Sequence, residues 1–334
     1  MSTQTPATGF DHHVDLAAAH LGGMALAASD EFFAAKENLL LPGRGIFVAD
    51  RFTDRGKWMD GWESRRKRVA GHDWCIIRLG LSGVVEGVDI DTNHFLGNHP
   101  DGASVEALCE DDPIALETLI ATDRWETILD RESLERGSRN LCPVESDKRW
   151  THLRLNIFPD GGVARFRVHG RAIPDWKRLG RHAIIDLAAI AHGGRAISQS
   201  DMFFGRASNM LMPGVGKNMG DGWETRRRRS PGHDWCIVEL GRPGDIKVVH
   251  VDTHHFKGNY PDRCALEGCF SPGATPGDDA AWSVLLGEEK LQPHRNHIYD
   301  EVLSSIGPIS HVRVKIFPDG GISRLRVFGA PIGD

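Results

Sequence analysis

The sequence predicts an all-β protein built as two tandem jelly-roll β-sandwich domains, and three observations carry that expectation. First, residues 61–101 align with 222–262 without a gap at a constant offset of 161, and 24 of the 41 positions are identical. A solenoid unit repeats every ~20–50 residues, so this period fits two whole domains of one fold. Second, each copy holds short β-rich runs punctuated by Gly-containing turns. Third, Ile-Phe-Pro-Asp-Gly-Gly occurs twice, at 157–162 and 316–321, each time after an alternating apolar segment. Short antiparallel strands with closely spaced turn signals point to sandwiches or jelly rolls.

Taken in order, residues 1–10 are rich in Ser, Thr and Pro and read as disordered. The first domain runs from about Val14 to Pro174. It begins with an Ala-rich segment of helical pattern, Leu16 to Ala28, whose counterpart recurs around Asp186-Leu187-Ala188-Ala189. Trp74–Leu79 and Val84–Ile90 read as two strands separated by a turn, as do Trp235–Leu240 and Ile246–Val251. Pro113–Ile120 carries a second helical pattern. Leu153, Leu155 and Ile157 alternate with His152, Arg154 and Asn156, the period of a half-buried strand. Asp160-Gly161-Gly162 then supplies positive φ angles for a hairpin returning through Val163–Val168, copied at His311–Val327. Asp175 to Arg181 reads as a linker, and the second domain runs from about His182 to Asp334. The offset is 171 at Asp15/Asp186 and 161 at Gly61/Gly222, so the first copy holds ten extra residues, around Phe47 to Trp58.

At 334 residues the chain exceeds the length at which one core stops growing, in keeping with two domains. A formal net charge of −6 argues against a nucleic-acid partner. No apolar run approaches the ~20 residues that span a bilayer, so no membrane attachment is expected. The segment Leu16 to Ala28 lacks the basic flank of a signal peptide and recurs mid-chain, so it reads as part of the domain and a cytoplasmic location is expected. Six cysteines without a CxxC pair exclude a disulfide scaffold and a zinc ribbon.

The repeated residues are Trp, Glu, Arg, His and Asp, where a purely structural repeat needs only apolar character. Gly-Trp-Glu-[Ser/Thr]-Arg-Arg places Glu63 and Glu224 before Arg65, Arg66 and Arg226, Arg227. A single copy reads as a solvated charged loop. Its duplication favours recognition of an anion, for which the planar Arg fork is suited. Gly-His-Asp-Trp-Cys puts His72 and His233 beside an Asp that can orient an imidazole, or else forms a turn with Trp entering the core. Asp-Thr-x-His-Phe-x-Gly-Asn sets Asp91, His94 and Asn98, and Asp252, His255 and Asn259, at a strand end and its loop. Asp with His, and the pair His254-His255, also leave a divalent metal open. Glu106 and Glu267 add a repeated carboxylate. Arg154, Arg165, Arg167 and their counterparts Arg313, Arg324, Arg326 read as the wet face of a sheet. With no nucleophile elbow, phosphate loop or HExxH motif, general acid–base chemistry on a small polar substrate remains.

At these motifs the chain resembles the allantoicase family. The resemblance rests on Gly-Lys-Asn-Met-Gly-Asp-Gly-Trp-Glu-Thr-Arg-Arg at 216–227, Gly-His-Asp-Trp at 71–74 and 232–235, Asp-Thr-x-His-Phe-x-Gly-Asn-x-Pro at 91–100 and 252–261, and the two Ile-Phe-Pro-Asp-Gly-Gly segments. It implies tandem jelly rolls of galactose-binding-like type and hydrolysis of allantoate, a small ureide, to ureidoglycolate and urea. In that reading the Arg pairs hold the substrate carboxylate, Asn98 and Asn259 meet a ureido group, and His, Asp and Glu supply acid–base groups. A metal that activates water and a homo-oligomeric assembly stay open. The first copy reads Gly56-Lys57-Trp58-Met59-Asp60-Gly61 where the second reads Gly216-Lys217-Asn218-Met219-Gly220-Asp221-Gly222, so the two sites are expected to differ locally. The competing classes are a tandem galactose-binding-like module without catalysis, in which duplication serves avidity, and a regulatory ureide-binding protein.

Overall fold

A computed structural model describes residues 9–10, 13–180 and 183–333. The expectation for the first ten residues therefore lies mostly outside the described residues. The chain divides into two compact units, Met1–Ile173 and Pro174–Asp334.

Each unit is organised by one strand of 19 residues, Asp73–Asp91 in the first and Asp234–Asp252 in the second. These replace the two shorter strands and intervening turn expected from sequence. Residues 73–78 pair with Trp150–Phe158, and residues 83–91 pair with Arg165–Ala172, with a register shift between the two stretches. The glycines read as turn residues, Gly80 and Gly83, let the strand bend from one layer to the other without breaking, a known way of joining sandwich layers. One layer of the first unit runs Met24–Ala28, the first half of the long strand, Trp150–Phe158, Gly102–Leu108, Glu126–Ser133; the other runs Val14–Asp15, Arg165–Ala172, the second half, Arg139–Pro143. The second unit repeats this order with Arg195–Gln199, Asp234–Asp252, Ile309–Phe317, Arg263–Cys269, Ser283–Lys290 and with Ile185–Asp186, Arg324–Pro331, Asn296–Tyr299.

The expected hairpin does not form. Trp150–Phe158 and Arg165–Ala172 pair with opposite halves of the long strand and not with each other. Between them Gly162–Val163 pairs with Trp62–Glu63, and in the second unit Gly321–Ile322 pairs with Trp223–Glu224. Only the first glycine of each Gly-Gly pair has positive φ, 137° at Gly161 and 135° at Gly320. Gly162 and Gly321 serve close approach instead: a Cβ there would meet the Phe95 ring at 2.0 Å and the Phe256 ring at 1.9 Å. Gly321→Ala is accordingly expected to destabilise the protein by about 1–3 kcal/mol through overpacking, read as a lower denaturant midpoint.

The helical expectations divide. Leu116–Ala121 is an α-helix that overlaps the predicted stretch and ends one residue beyond it, and it covers Ile76 on the outer face together with Leu108 and Trp125. The Ala-rich segment is instead one 3-10 turn, Ala19–Leu21, followed by the strand Met24–Ala28. The ten extra residues of the first copy include a small hairpin, Phe52–Thr53 with Gly56–Lys57. The main core of the first unit joins Cys75, Ile77, Val85, Val88 and Ile90 of the long strand to Leu153, Leu155, Ile157, Phe166 and Val168. Among the described residues no helix is long and apolar enough to cross a membrane.

Candidate active site

The two-stranded ribbon explains why Trp and Glu recur together. In extended chain successive side chains face opposite ways. Trp62 and Trp223 are wholly buried, and their indole N–H groups donate to the Asp30 and Asp201 carbonyls, both at 2.8 Å. Ser64 and Thr225 are also buried, against Gly161 and Gly320. Glu63 and Arg65, and Glu224 and Arg226, thereby share the open side.

The loop after the long strand folds over this ribbon, because Phe95 and Phe256 pack on its glycines. It delivers an amide onto each glutamate: Asn98 Nδ2 donates to Glu63 Oε1 at 2.6 Å, and Asn259 Nδ2 donates to Glu224 Oε1. Burial raises the Glu63 carboxyl above its ordinary pKa, against the Asn98 hydrogen bond, which lowers it. Asp91 and Asp252 end the long strands, are buried, and cap their own loops by accepting from the Asn93 and His254 backbone N–H at 2.9 and 2.8 Å. His94 and His255 follow with φ of 69° and 71°. Left-handed backbone at a bulky residue is a strained state that packing must enforce, and such states gather at functional sites.

The surroundings of these residues differ between copies. In the second, His255 Nε2 lies 2.8 Å from the Gly216 carbonyl, and its backbone N–H donates to His294 Nδ1 at 2.9 Å. His254 Nδ1 lies 2.6 Å from Asp252 Oδ1, and the His254 and His294 ring centroids are 4.8 Å apart. In the first, His94 packs beside Phe47 of the insertion, at 5.6 Å between centroids. Asp91 is held there by Arg44 through two 2.8 Å hydrogen bonds. Gly45, not Gly56, stands where Gly216 stands: a Cβ on either would approach the buried arginine that follows, Arg165 or Arg324. Gly56-Lys57 belongs to the inserted hairpin, which corrects the equivalence drawn from sequence.

Arg165 and Arg324 are buried, not on a wet face, so that reading is also corrected. Arg165 bonds to the Asp60 carbonyl and carboxylate at 3.0 and 2.8 Å. Arg324 reaches the Gly214, Asp221 and Ser323 carbonyls. Arg167 and Arg326 likewise donate to loop carbonyls, at Leu41 and Gly43 and at Met212 and Gly214. These side chains fix the loop carrying Gly45 or Gly216 to the sheet end. Arg154 and Arg313 lie elsewhere, paired with Glu106 and Glu267 and stacked over Trp125 and Trp282. Glu106 and Glu267 lose hydration there, yet their hydrogen bonds to Arg154 and Asn156, and to Lys315 and Arg313, hold them below the ordinary carboxylate pKa.

Of the motif arginines, Arg65 places Nε and Nη2 on Asp30 Oδ2 at 2.8 and 2.6 Å, beneath Phe32. The Arg226 backbone N–H donates to Asp201 Oδ2 at 2.7 Å, while its guanidinium lies 3.5 Å from that carboxylate and stacks over Phe203. Arg66 and Arg227 are exposed. His72 and His233 pack on Phe158 and Phe317 at 4.8 and 4.9 Å and form no hydrogen bond with the Glu–Asn pairs among the described residues. Burial, and then Lys315, Arg228 and Arg313, push His233 below the ordinary imidazole value, against Glu267. Among the described residues no group of three or more His, Cys, Asp or Glu is disposed to hold a metal ion. Sequence reasoning passed over Arg44, Asp60, Asp221 and His294. Asp60 and Asp221 were within reach, since both precede the repeated Gly-Trp-Glu.

The allantoicase repeat family model matches residues 14–173 and 185–332. A probable allantoicase of Burkholderia mallei is 49% identical over 321 residues, covering 95% of this chain and 94% of the relative. A probable allantoicase of Pseudomonas aeruginosa is 49% identical over 328 residues, covering 96% and 97%. The crystal structure of allantoicase from Saccharomyces cerevisiae superposes with a TM-score of 0.75 at 38% identity, over 95% of this chain and 93% of that one.

Proposed function

The chain belongs to the allantoicase family, and we propose that its hydrolysis of allantoate to ureidoglycolate and urea runs at the loop end of the repeat, on the Glu–Asn pair. The observation that carries this reading is the amide of Asn98 or Asn259 set on Glu63 or Glu224 in both copies. A ureido group offers N–H donors and a carbonyl acceptor, which a carboxylate and an Asn amide complement.

The reaction breaks one bond from the central carbon to a ureido nitrogen and forms one from that carbon to the oxygen of water. Water gives up one proton, and the departing nitrogen gains one. The glutamate stabilises the positive charge that grows on that nitrogen. Asp91 or Asp252 with the histidines of the loop it caps, His94 in the first copy and His254 and His255 in the second, lines the side from which water approaches, as acid–base groups. His72 and His233 belong to the same proposal as outlying histidines immediately before the long strands.

The carboxylate of the substrate is assigned to Arg65, Arg66, Arg226 and Arg227 at the open rim. Arg226 is the best placed, because it faces the same side as Glu224 and its guanidinium lies 3.5 Å from Asp201, which its backbone N–H holds instead. Arg226→Lys is expected to raise KM for allantoate about 10-fold at unchanged kcat, since an ammonium cannot reproduce the two-pronged contact. Urea release from allantoate by the wild-type chain and this variant is the test. A wild-type chain that releases no urea would leave the two non-catalytic readings, the binding module and the regulatory ureide-binding protein. A cytoplasmic location is part of the same reading, supported by six cysteines that are all free, five of them buried.

A further inference from the structure

Three cation–carboxylate pairs distinguish the copies. Arg44 holds Asp91 in a two-pronged contact, whereas its counterpart Val215 is apolar and leaves Asp252 to His254. Arg165 is paired with Asp60 at 2.8 Å, whereas Asp221 turns its carboxylate to the Lys217 N–H and Arg324 donates only to carbonyls. The Arg65 guanidinium puts two donors on Asp30 at 2.8 and 2.6 Å, whereas the Arg226 guanidinium lies 3.5 Å from Asp201. At these three places the first copy pairs each carboxylate with an arginine side chain. Among the described residues the second copy instead shows Arg324 hydrogen-bonded to carbonyls and Asp252 partnered by an imidazole.

The histidines differ in the same direction. Asn93 stands where the second copy has His254, and Gly137 stands where it has His294. The second equivalence follows from the anchor Thr92 Oγ1 to Ser138 O, repeated as Thr253 Oγ1 to Arg295 O, and from φ of 64° at Gly137 and 52° at His294. The hydrogen-bond network also assigns the tautomers. A carboxylate only accepts, so His254 carries its proton on Nδ1 and leaves Nε2 bare. His294 Nδ1 accepts the His255 N–H, so a neutral His294 carries its proton on Nε2.

Resting on the allantoate-hydrolase reading, we propose that turnover is confined to the second repeat, that the Asp252–His254 pair moves the proton there with His294 as a positioning residue, and that the first repeat is a ureide-binding site without turnover. His254 Nε2 takes the proton from water as the oxygen joins the central carbon. The same proton then passes to the departing nitrogen as the carbon–nitrogen bond breaks, so urea leaves neutral and the imidazole returns to its starting state. Asp252 stabilises the imidazolium in between, as a carboxylate does behind a general-base histidine. His294 positions the pair: its Nδ1 accepts the His255 N–H and its ring stands edge-on to His254 at 4.8 Å, while lost hydration and then His254, Lys257 and His255 lower its pKa against Asp252. Arg324, buried and donating to the Gly214, Asp221 and Ser323 carbonyls, holds the loop of Gly216 beside His255, and the substrate carboxylate stays with Arg226 at the rim.

The test compares His254→Asn and His254→Ala with Asn93→Ala, each assayed for urea release and for thermal melting. Both His254 variants are expected to lose about 10²–10⁴-fold in kcat while melting like wild type, and Asn carries over the residue that the first copy already accommodates. Added imidazole should restore part of the turnover of His254→Ala, which a merely structural role for His254 would not give. Asn93→Ala should keep the wild-type rate. Wild-type turnover in a folded His254→Asn protein, or an equal loss in Asn93→Ala, overturns the proposal while leaving the allantoate-hydrolase reading intact. A wild-type chain without urea release counts against that reading itself.

Discussion

Glu224→Gln should lower kcat for allantoate by about 10²–10³-fold, the scale on which one preorganised electrostatic contact to a transition state is measured. Gln is close to isosteric, and its carbonyl oxygen continues to accept from Asn259 Nδ2, so the loop over the ribbon keeps its anchor. Trp223 on the other face of the ribbon is untouched, and melting should stay near wild type. What is lost is the negative charge facing the nitrogen on which positive charge grows. If Glu224 served ground-state binding alone, KM would rise at constant kcat. A Glu224→Gln protein with wild-type kcat would remove the Glu–Asn pair from the chemistry. The parallel variant Glu63→Gln separates the copies: in a chain whose first repeat only binds, its kcat stays near wild type.

How much of this was legible in the sequence depends on whether the signal was local. The period-2 pattern of Leu153, Leu155 and Ile157 marks a strand, and those side chains are fully buried. The repeat marks two similar units, because Trp, Glu, His and Asp at a fixed offset occupy equivalent places. Strand partners were not legible. Trp150–Phe158 and Arg165–Ala172 lie a turn apart in sequence, yet each pairs with a different half of one bent strand, a non-local choice that periodicity does not encode. Gly80 and Gly83 looked like turn residues for the same reason. Arg165 and Arg324 follow the alternation of a solvated face, and only the covering loop, pinned to them through its carbonyls, buries them. His294 escaped because its loop sits at an offset of 157, as Ser138 and Arg295 show, so the offset of 161 pairs it with the wrong residue. The missing signal was the shared contact with the threonine after the strand-end aspartate.

Trp223→Ala is expected to cost about 3–5 kcal/mol of stability, the range for removing a fully buried Trp. The indole is wholly inaccessible, and its N–H satisfies the Asp201 carbonyl, so truncation leaves both a cavity and an unpaired acceptor. The cost also reaches the site, because Trp223 and Glu224 are adjacent on a ribbon of two residues per strand, paired with Gly321–Ile322. With the inner side chain gone, little keeps Glu224 facing outward beneath Asn259. Asp201 is the same residue that meets Arg226 at the rim, so the arginine is loosened by the same change. Chemical denaturation should show the lower midpoint, and urea release should fall even at temperatures where the protein remains folded. Trp223→Phe refills most of the volume without the N–H donor, and it should recover most of the stability. A loss below ~1 kcal/mol for the Ala variant, as expected of an uncoupled surface residue, would show that the ribbon is held by its backbone pairing and that the repeated Trp serves neither core nor site.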